Sequence, residues 1–301
     1  MLGMQEQFLP RLAEKGVRAH CPDVVQTLAE EELIALVPGY DGWIIGDDPA
    51  TRRVFEAGKR GRLKAAVKWG IGVDNVDFEA CRELAIPVTN TPGMFGAEVA
   101  DVAMGYVIAL ARETFRIDRE IRAGGWPKYR GISLAGKRVG LVGYGDIGRN
   151  TAARLLAADM PITCYDPACP AMDDIPGLVF SSWPDGLGAC DFLVFTCSLN
   201  EANRHMLDDR TLTACKPGIR IINVARGPLI DEPALIAALR SGHVHSAALD
   251  VFEQEPLPMD SPLRELPRCI FGSHNGSNTS DAVARTNDLV IEKLLEFLGV
   301  D

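Results

Sequence analysis

The sequence predicts an α/β fold built on mostly parallel sheets and divided into two domains. Three observations predict it. Short apolar runs alternate with helix-period segments almost throughout, and strand–helix–strand alternation demands crossover connections and sheets covered on both faces. The 301 residues favour two domains at roughly 150 residues each. A Gly-x-Gly-x-x-Gly stretch, Gly143 to Gly148, stands between an apolar run and a helical pattern.

In chain order, the short apolar runs place strands at Val17–Cys21, Gly42–Gly46, Leu63–Trp69, Pro87–Thr89, Arg138–Val142, Pro161–Tyr165, Phe192–Thr196, Ile219–Asn223, Ser246–Leu249 and Cys269–Phe271. Helix-period segments fall between them at Gln5–Lys15, Glu30–Val37, Ala50–Ala57, Phe78–Leu84, Ile147–Ala158 and Pro233–Ser241. The longest helical pattern runs from about Glu98 to Arg122 and separates two strand–helix runs. Its first half is nearly all apolar and must be buried, either as a core helix joining two domains or in a dimer interface; its second half is amphipathic. Gly124-Gly125-Trp126-Pro127 ends it, and a last helix at Thr279–Leu298 closes the sequence.

Composition excludes several classes. Apolar residues make up 47% and charged residues 24%, which is ordinary globular composition. Forty-one acidic residues against 31 basic ones leave a formal charge of −10, so the basic footprint of a nucleic-acid binder is absent and an anionic membrane surface would repel the chain. The longest apolar run, Val102 to Ala111, is too short to span a bilayer, and the first residues carry no secretion signal. The eight cysteines, Cys169 among them, form no C-x-x-C pair and fit a reducing, cytoplasmic setting. His243 and His245 have no carboxylate or thiol at ligand spacing, so no metal is expected.

The glycine stretch has the context that a dinucleotide site requires. Gly143 serves the tight turn, Gly145 the close approach of a pyrophosphate, and Gly148 helix–strand packing; Asp146 and Ile147 open the helix whose free N–H groups face the phosphates. Asp166 ends the next strand, 23 residues after Gly143, where a carboxylate accepts the adenosine ribose hydroxyls. It would repel a 2′-phosphate, and Pro167-Ala168 supplies no arginine, which favours NAD over NADP.

Ligands of an open parallel sheet bind beyond the carboxyl ends of its strands. Three later strands are followed there by Arg226, by a loop holding Asp250 and Glu255, and by His274. A guanidinium for an oxyanion, a proton carrier and a carboxylate to orient it are the working set of a carbonyl/alcohol redox step. Taken singly, Arg226 reads as a strand-end ion pair, Glu255 as a solvated loop acid and His274 as a neighbour of a helix cap. Their joint occurrence after three consecutive strands favours the functional reading.

Lys68-Trp69-Gly70-Ile71-Gly72-Val73-Asp74-Asn75, Asn90-Thr91-Pro92-Gly93, the Gly143 fingerprint, Asn223 to Gly227, Asp250 to Pro256 and Ser273-His274-Asn275-Gly276 together resemble the D-isomer-specific 2-hydroxyacid dehydrogenases, and among them the phosphoglycerate-dehydrogenase-like branch. The resemblance implies a Rossmann-type NAD-binding domain, residues 93–274, inserted into a flavodoxin-like substrate domain made of residues 1–92 and 275–301. Catalysis would sit in the cleft between them, in a homodimer. It implies His274 as general acid/base with Glu255 hydrogen-bonded to it, and Arg226 on the substrate carboxylate and carbonyl. The backbone amides around Gly70 and Ile71, beside Trp69, would hold the carboxylate. Thr196, Val224, Ala225, Arg226 and Asp250 would contact the cofactor, with Ile71, His274 and Gly276 as further neighbours. The substrate would be a small 2-hydroxy or 2-oxo acid. The family carries a strand ahead of its first helix, whereas this sequence opens almost directly on a helix, so that strand is expected to be missing. Asp47-Asp48 lies where many phosphoglycerate dehydrogenases carry a basic residue, which disfavours a phosphorylated substrate. Phosphite oxidation on the same residues, and a dinucleotide-sensing partner protein without catalysis, are the competing readings.

Overall fold

The computed structural model describes residues 2–24, 27–168 and 175–300; Cys169 lies outside them. The chain divides into two compact units, Met1–Phe95 with Asn278–Asp301, and Gly96–Ser277. The divisions fall three residues beyond the expected 92/93 and 274/275.

The first unit is built on a three-stranded parallel sheet in the order β1 (Gly42–Ile45), β2 (Ala65–Lys68), β3 (Val88–Thr89). Its helices are α1 (Gln5–Glu14), α2 (Glu30–Leu36), α3 (Arg52–Arg60), α4 (Phe78–Glu83) and a C-terminal helix, Ser280–Leu298, numbered α10 below. β2 is central and buried at every residue, as a strand covered on both faces must be. Leu33, Ile45, Val54, Phe55 and Ala66 form the core beside it. The C-terminal helix lies close to the sheet at Gly42, where a Cβ would stand 3.1 Å from the side-chain ends of both Leu294 and Leu298. Asp77 caps α4 through Ala80 N at 2.8 Å.

Val17–Cys21 is not a strand. A strand exists only as part of a ladder, and among the described residues β1 is an edge strand paired with β2 alone. Val17 and Cys21 instead pack against the cluster of Phe8, Leu12, Ile291 and Leu295. Among the described residues no strand precedes α1.

Among the described residues the second unit contains seven strands, all paired in parallel: β4 (Val139–Val142), β5 (Ile162–Tyr165), β6 (Leu178–Phe180), β7 (Phe192–Phe195), β8 (Ile219–Asn223), β9 (Val244–Leu249) and β10 (Cys269–Phe271). Their order, β10-β9-β8-β7-β4-β5-β6, reverses at β4, and that switch point opens a crevice beyond the strand ends. β4, β5, β7 and β8 are buried throughout. β6 was not expected. Three residues at the sheet edge, only one of them buried, carry too little periodicity to be read.

The long helix expected over Glu98–Arg122 is two helices, α5 (Gly96–Arg112) and α6 (Thr114–Arg122). Glu113 between them adopts left-handed backbone, φ 58°. The Ala111 carbonyl, which a continuous helix would use internally, accepts from Ile132 N at 2.8 Å instead. Glu113 turns its carboxylate inward, 3.5 Å from His245 Nε2. α5 is largely buried and packs against α7 (Asp146–Ala157), whereas α6 buries no residue. Two further helices, α8 (Asp209–Ala214) and α9 (Glu232–Ser241), complete the unit, and each is capped by an aspartate, Asp208 and Asp231.

Candidate active site

The glycines of the β4–α7 turn meet three different demands. Gly143 has φ 95°, and a Cβ there would lie 2.6 Å from the Cys197 backbone. At Gly148 a Cβ would stand 2.1 Å from the Gly143 carbonyl oxygen, so the helix seats against the strand only without a side chain. Gly145, the N-cap of α7, has no atom within 4 Å of where a Cβ would be. The protein itself does not require glycine at Gly145; the open space suits a pyrophosphate brought against the first-turn N–H groups of Asp146 and Ile147. Asp146 is exposed, and only its backbone suits an anion.

The turn is braced from below. Thr196, at the end of β7, donates its buried hydroxyl to the Val142 and Gly143 carbonyls at 3.0 and 2.9 Å. Asp166 accepts from Tyr144 N at 2.6 Å and from Ala168 N at 2.8 Å, one bond to each oxygen. A carboxylate has about four acceptor positions, so capacity for ribose hydroxyls remains. Burial pushes the neighbouring Cys197 thiol up to about 12, which keeps it a neutral thiol.

Beyond β8, a residue given no role of its own in the sequence shapes the chain. Asn223 is fully buried; its Oδ1 accepts from Ala225 N at 3.0 Å and its Nδ2 donates to the Arg226 carbonyl at 2.8 Å. An asparagine closing an otherwise apolar strand was the available signal. It folds Val224 and Ala225 inward and presents Arg226 at the turn, half-buried, with its Nη1 on the Ala225 carbonyl at 2.8 Å. Gly227 follows because a Cβ there would fall 1.9 Å from the Phe252 carbonyl group, pressing this turn onto the loop after β9.

That loop carries Glu255. Its Oε1 accepts from Phe252 N at 2.9 Å, and its Oε2 lies 2.7 Å from His274 Nδ1. The carboxylate therefore fixes the ring plane and holds the proton on Nδ1, so Nε2 is the nitrogen that can exchange a proton with a substrate oxygen. His274 itself has φ 55°, an uncommon conformation for a residue with a side chain, and its N–H donates to the Asp250 carbonyl at 2.7 Å. Asp250 is only 3% exposed, and its carboxylate is committed to the protein: it accepts from Asn275 N at 3.2 Å and Gly276 N at 2.8 Å and from the Tyr106 hydroxyl of α5. Burial, with the Asp250 charge beside it, pushes the Tyr106 hydroxyl upward and keeps it a donor. Asp250 thus shapes the backbone around His274.

Trp69, Gly70 and Ile71 lie in the first unit, in the loop after β2. Gly70 has φ 123°, and its N–H is taken by Thr91 Oγ1 at 2.9 Å while Thr91 N returns a bond to the Gly70 carbonyl at 3.1 Å. The Gly70 amide is therefore engaged by Thr91. Trp69 donates its indole N–H to Asn287 at 2.9 Å and packs its ring on Phe95. Lys68, 2% exposed, ties this loop to the one after β1, donating to the Gly46 carbonyl at 2.6 Å, the Trp69 carbonyl at 3.1 Å and Asp47 at 3.2 Å.

Residues 104–276 match the model of the NAD-binding domain of the D-isomer-specific 2-hydroxyacid dehydrogenases. The chain is 36% identical over 285 residues to a hydroxypyruvate reductase of Thermotoga maritima, covering 91% of this chain and 90% of that protein. It is 34% identical over 289 residues to a D-3-phosphoglycerate dehydrogenase of Methanocaldococcus jannaschii, covering 92% of this chain but only 53% of that longer protein. A crystal structure of a Thermus thermophilus protein superimposes with a TM-score of 0.88 at 33% identity, over 97% of this chain and 93% of that one. With a model match over more than half of its length and relatives above 30% identity, the chain belongs to the D-isomer-specific 2-hydroxyacid dehydrogenase family of NAD-binding oxidoreductases.

Proposed function

We propose that this chain interconverts a small, unphosphorylated 2-oxo acid and its D-2-hydroxy acid, using NAD(H) in preference to NADP(H). The observation that carries the reading is the Glu255–His274 pair at 2.7 Å, on loops that follow strands of the sheet bearing the Gly143 turn. When bound, the nicotinamide supplies or takes the hydride at substrate C2. His274 moves the proton at the C2 oxygen through Nε2, and Glu255 keeps the ring oriented. Arg226 holds the carboxylate and polarises the carbonyl, giving the developing oxyanion a fixed positive partner. Backbone amides around Gly70 and Ile71 are the proposed partners of the carboxylate on the first unit, Ile71 before Gly70 because the Gly70 N–H is bound to Thr91. The first-turn amides of α7 take the pyrophosphate, Asp166 the ribose, and the Thr196, Val224–Arg226 and Gly276 segments form the surrounding wall. Asp250 acts through the backbone it holds. A homodimer is part of this proposal, supported by Ile108 of α5 and Phe115 and Ile121 of α6, large apolar side chains exposed on neighbouring helices.

The substrate and cofactor preferences rest on charge. β1 and β2 are parallel neighbours, so the Gly46-Asp47-Asp48 and Trp69–Val73 loops leave the same edge of the sheet. Asp47 stays half exposed there, although it faces Lys68, and a phosphate dianion would meet its field. Like charges about 4 Å apart repel by roughly 1–4 kcal/mol between bulk water and a protein surface, which is about 5- to 10³-fold in affinity. The test is NADH and NADPH oxidation measured with glyoxylate, hydroxypyruvate, pyruvate and 3-phosphohydroxypyruvate. Glyoxylate or hydroxypyruvate should exceed 3-phosphohydroxypyruvate in kcat/KM by at least about fivefold, and NADH should exceed NADPH by a similar factor. Preference for the phosphorylated acid would overturn the Asp47 argument, and equal use of NADPH would overturn that for Asp166.

A further inference from the structure

One loop of the second unit carries two histidine–glutamate pairs. Glu255 faces His274, while Glu253, two residues earlier, places Oε1 2.6 Å from Nε2 of His205. Both of those atoms are buried, and neither makes a hydrogen bond of regular geometry among the described residues, so their approach is a close polar contact and not a hydrogen bond. Out of reach of water, the two atoms have only each other's opposite polarity to offset that burial, so the contact resists opening. Glu253 is held from its backbone as well, its N–H donating to Glu232 Oε1 at 2.6 Å.

His205 grips the other side through its main chain. Its N–H donates to the Pro228 carbonyl at 2.7 Å, two residues beyond Arg226. Leu207 N then donates to the Leu229 carbonyl at 3.1 Å, and Asp231 N to the Leu207 carbonyl at 3.0 Å, so the segment is laced to the Arg226 turn by a short ladder. Gly227 already lies against the Phe252 backbone. At this junction His205 sits in left-handed backbone, φ 52°, a conformation uncommon for residues with a side chain. The ring thus holds the loop of Glu255, and the main chain of the same residue holds the turn of Arg226.

We propose that His205 is a positioning residue that, with Glu253, locks the Glu255 loop to the Arg226 turn and so sets the spacing of the groups acting on the substrate. The inference rests on the roles proposed above for Arg226 and Glu255. It leaves the Gly143 turn and Asp166 untouched, so cofactor affinity should change far less than turnover. A small misplacement of reacting groups costs up to about 100-fold in rate, which sets the scale of the effect.

The test uses His205→Asn, since asparagine tolerates left-handed backbone but is too short to replace the ring, together with Glu253→Ala, Glu253→Gln and the double variant H205N/E253A. Both H205N and E253A should lose about tenfold or more in kcat/KM for a 2-oxo acid while NADH still binds at wild-type stoichiometry and its affinity changes much less than kcat/KM. E253Q, which keeps an acceptor, should recover most of that loss. The double variant should fall no further than the weaker single variant, because the two changes break one contact. Independently of turnover, hydrogen–deuterium exchange in H205N should rise in both 226–230 and 252–256. Wild-type kcat/KM in H205N, losses that multiply in the double variant, or unchanged exchange in both segments would each overturn the lock. A wild-type chain inactive on every 2-oxo acid would instead overturn the proposed function, and the exchange result would still judge the lock.

Discussion

Replacing His274 by alanine is expected to lower kcat by about 10²- to 10⁴-fold, the usual contribution of a positioned general acid or base. NADH affinity should stay within about twofold of wild type, because the Gly143 turn and Asp166 draw no support from the imidazole. The site geometry explains the size. His274 Nδ1 is committed to Glu255 at 2.7 Å, and its backbone is pinned to Asp250 at 2.7 Å, so the ring arrives oriented and little reorganisation is needed during reaction. Single-turnover kinetics with pre-bound NADH separate the chemical step from binding. A His274→Ala variant that retains wild-type turnover would remove His274 from the mechanism and leave Glu255 without a purpose.

Arg226→Ala should be the second largest effect, a loss of roughly 10²- to 10³-fold in kcat/KM, the range seen when a donor to a developing oxyanion is removed. Unlike the His274 change, it should raise the KM for the 2-oxo acid as well as lower kcat, since one guanidinium serves both the ground-state carboxylate and the carbonyl oxygen. Arg226→Lys should recover only part of the activity, because a point charge cannot reproduce a planar, two-pronged donor. The scaffold should tolerate both changes. The turn is shaped by the Asn223 side chain and by Gly227 against Phe252, and neither contact uses the Arg226 side chain. Steady-state kinetics with NADH saturating read the split directly; an unchanged kcat/KM in the alanine variant would refute the role.

Features confined to a few neighbouring residues were legible in the sequence. The Gly143 turn is one, since its glycines answer local demands of φ and close approach, and Asp166 is another because a strand of fixed length delivers it. Topology brings the loops of Glu255 and His274 to one edge, because consecutive parallel strands do so, but their pairing came from the family resemblance. What depended on distant partners was hidden. Val17–Cys21 has the composition of a strand, but a strand without a ladder neighbour packs as coil. The break at Glu113 is set by His245 and by Ile132, far along the chain, so a continuous helical pattern concealed it. The occupation of the Gly70 amide by Thr91 is likewise a contact between two loops, and it narrows which backbone donor can meet a carboxylate.

The central claim is that hydride passes between the nicotinamide and C2 of a 2-oxo acid on this chain. Incubation with NADH carrying deuterium at the transferred C4 position and hydroxypyruvate in ordinary water, followed by chiral analysis and mass spectrometry of the product, tests it directly. The account predicts a D-2-hydroxy acid with one deuterium at C2. A product with no deuterium at C2, an L-configured product, or no reduced acid at all would contradict it.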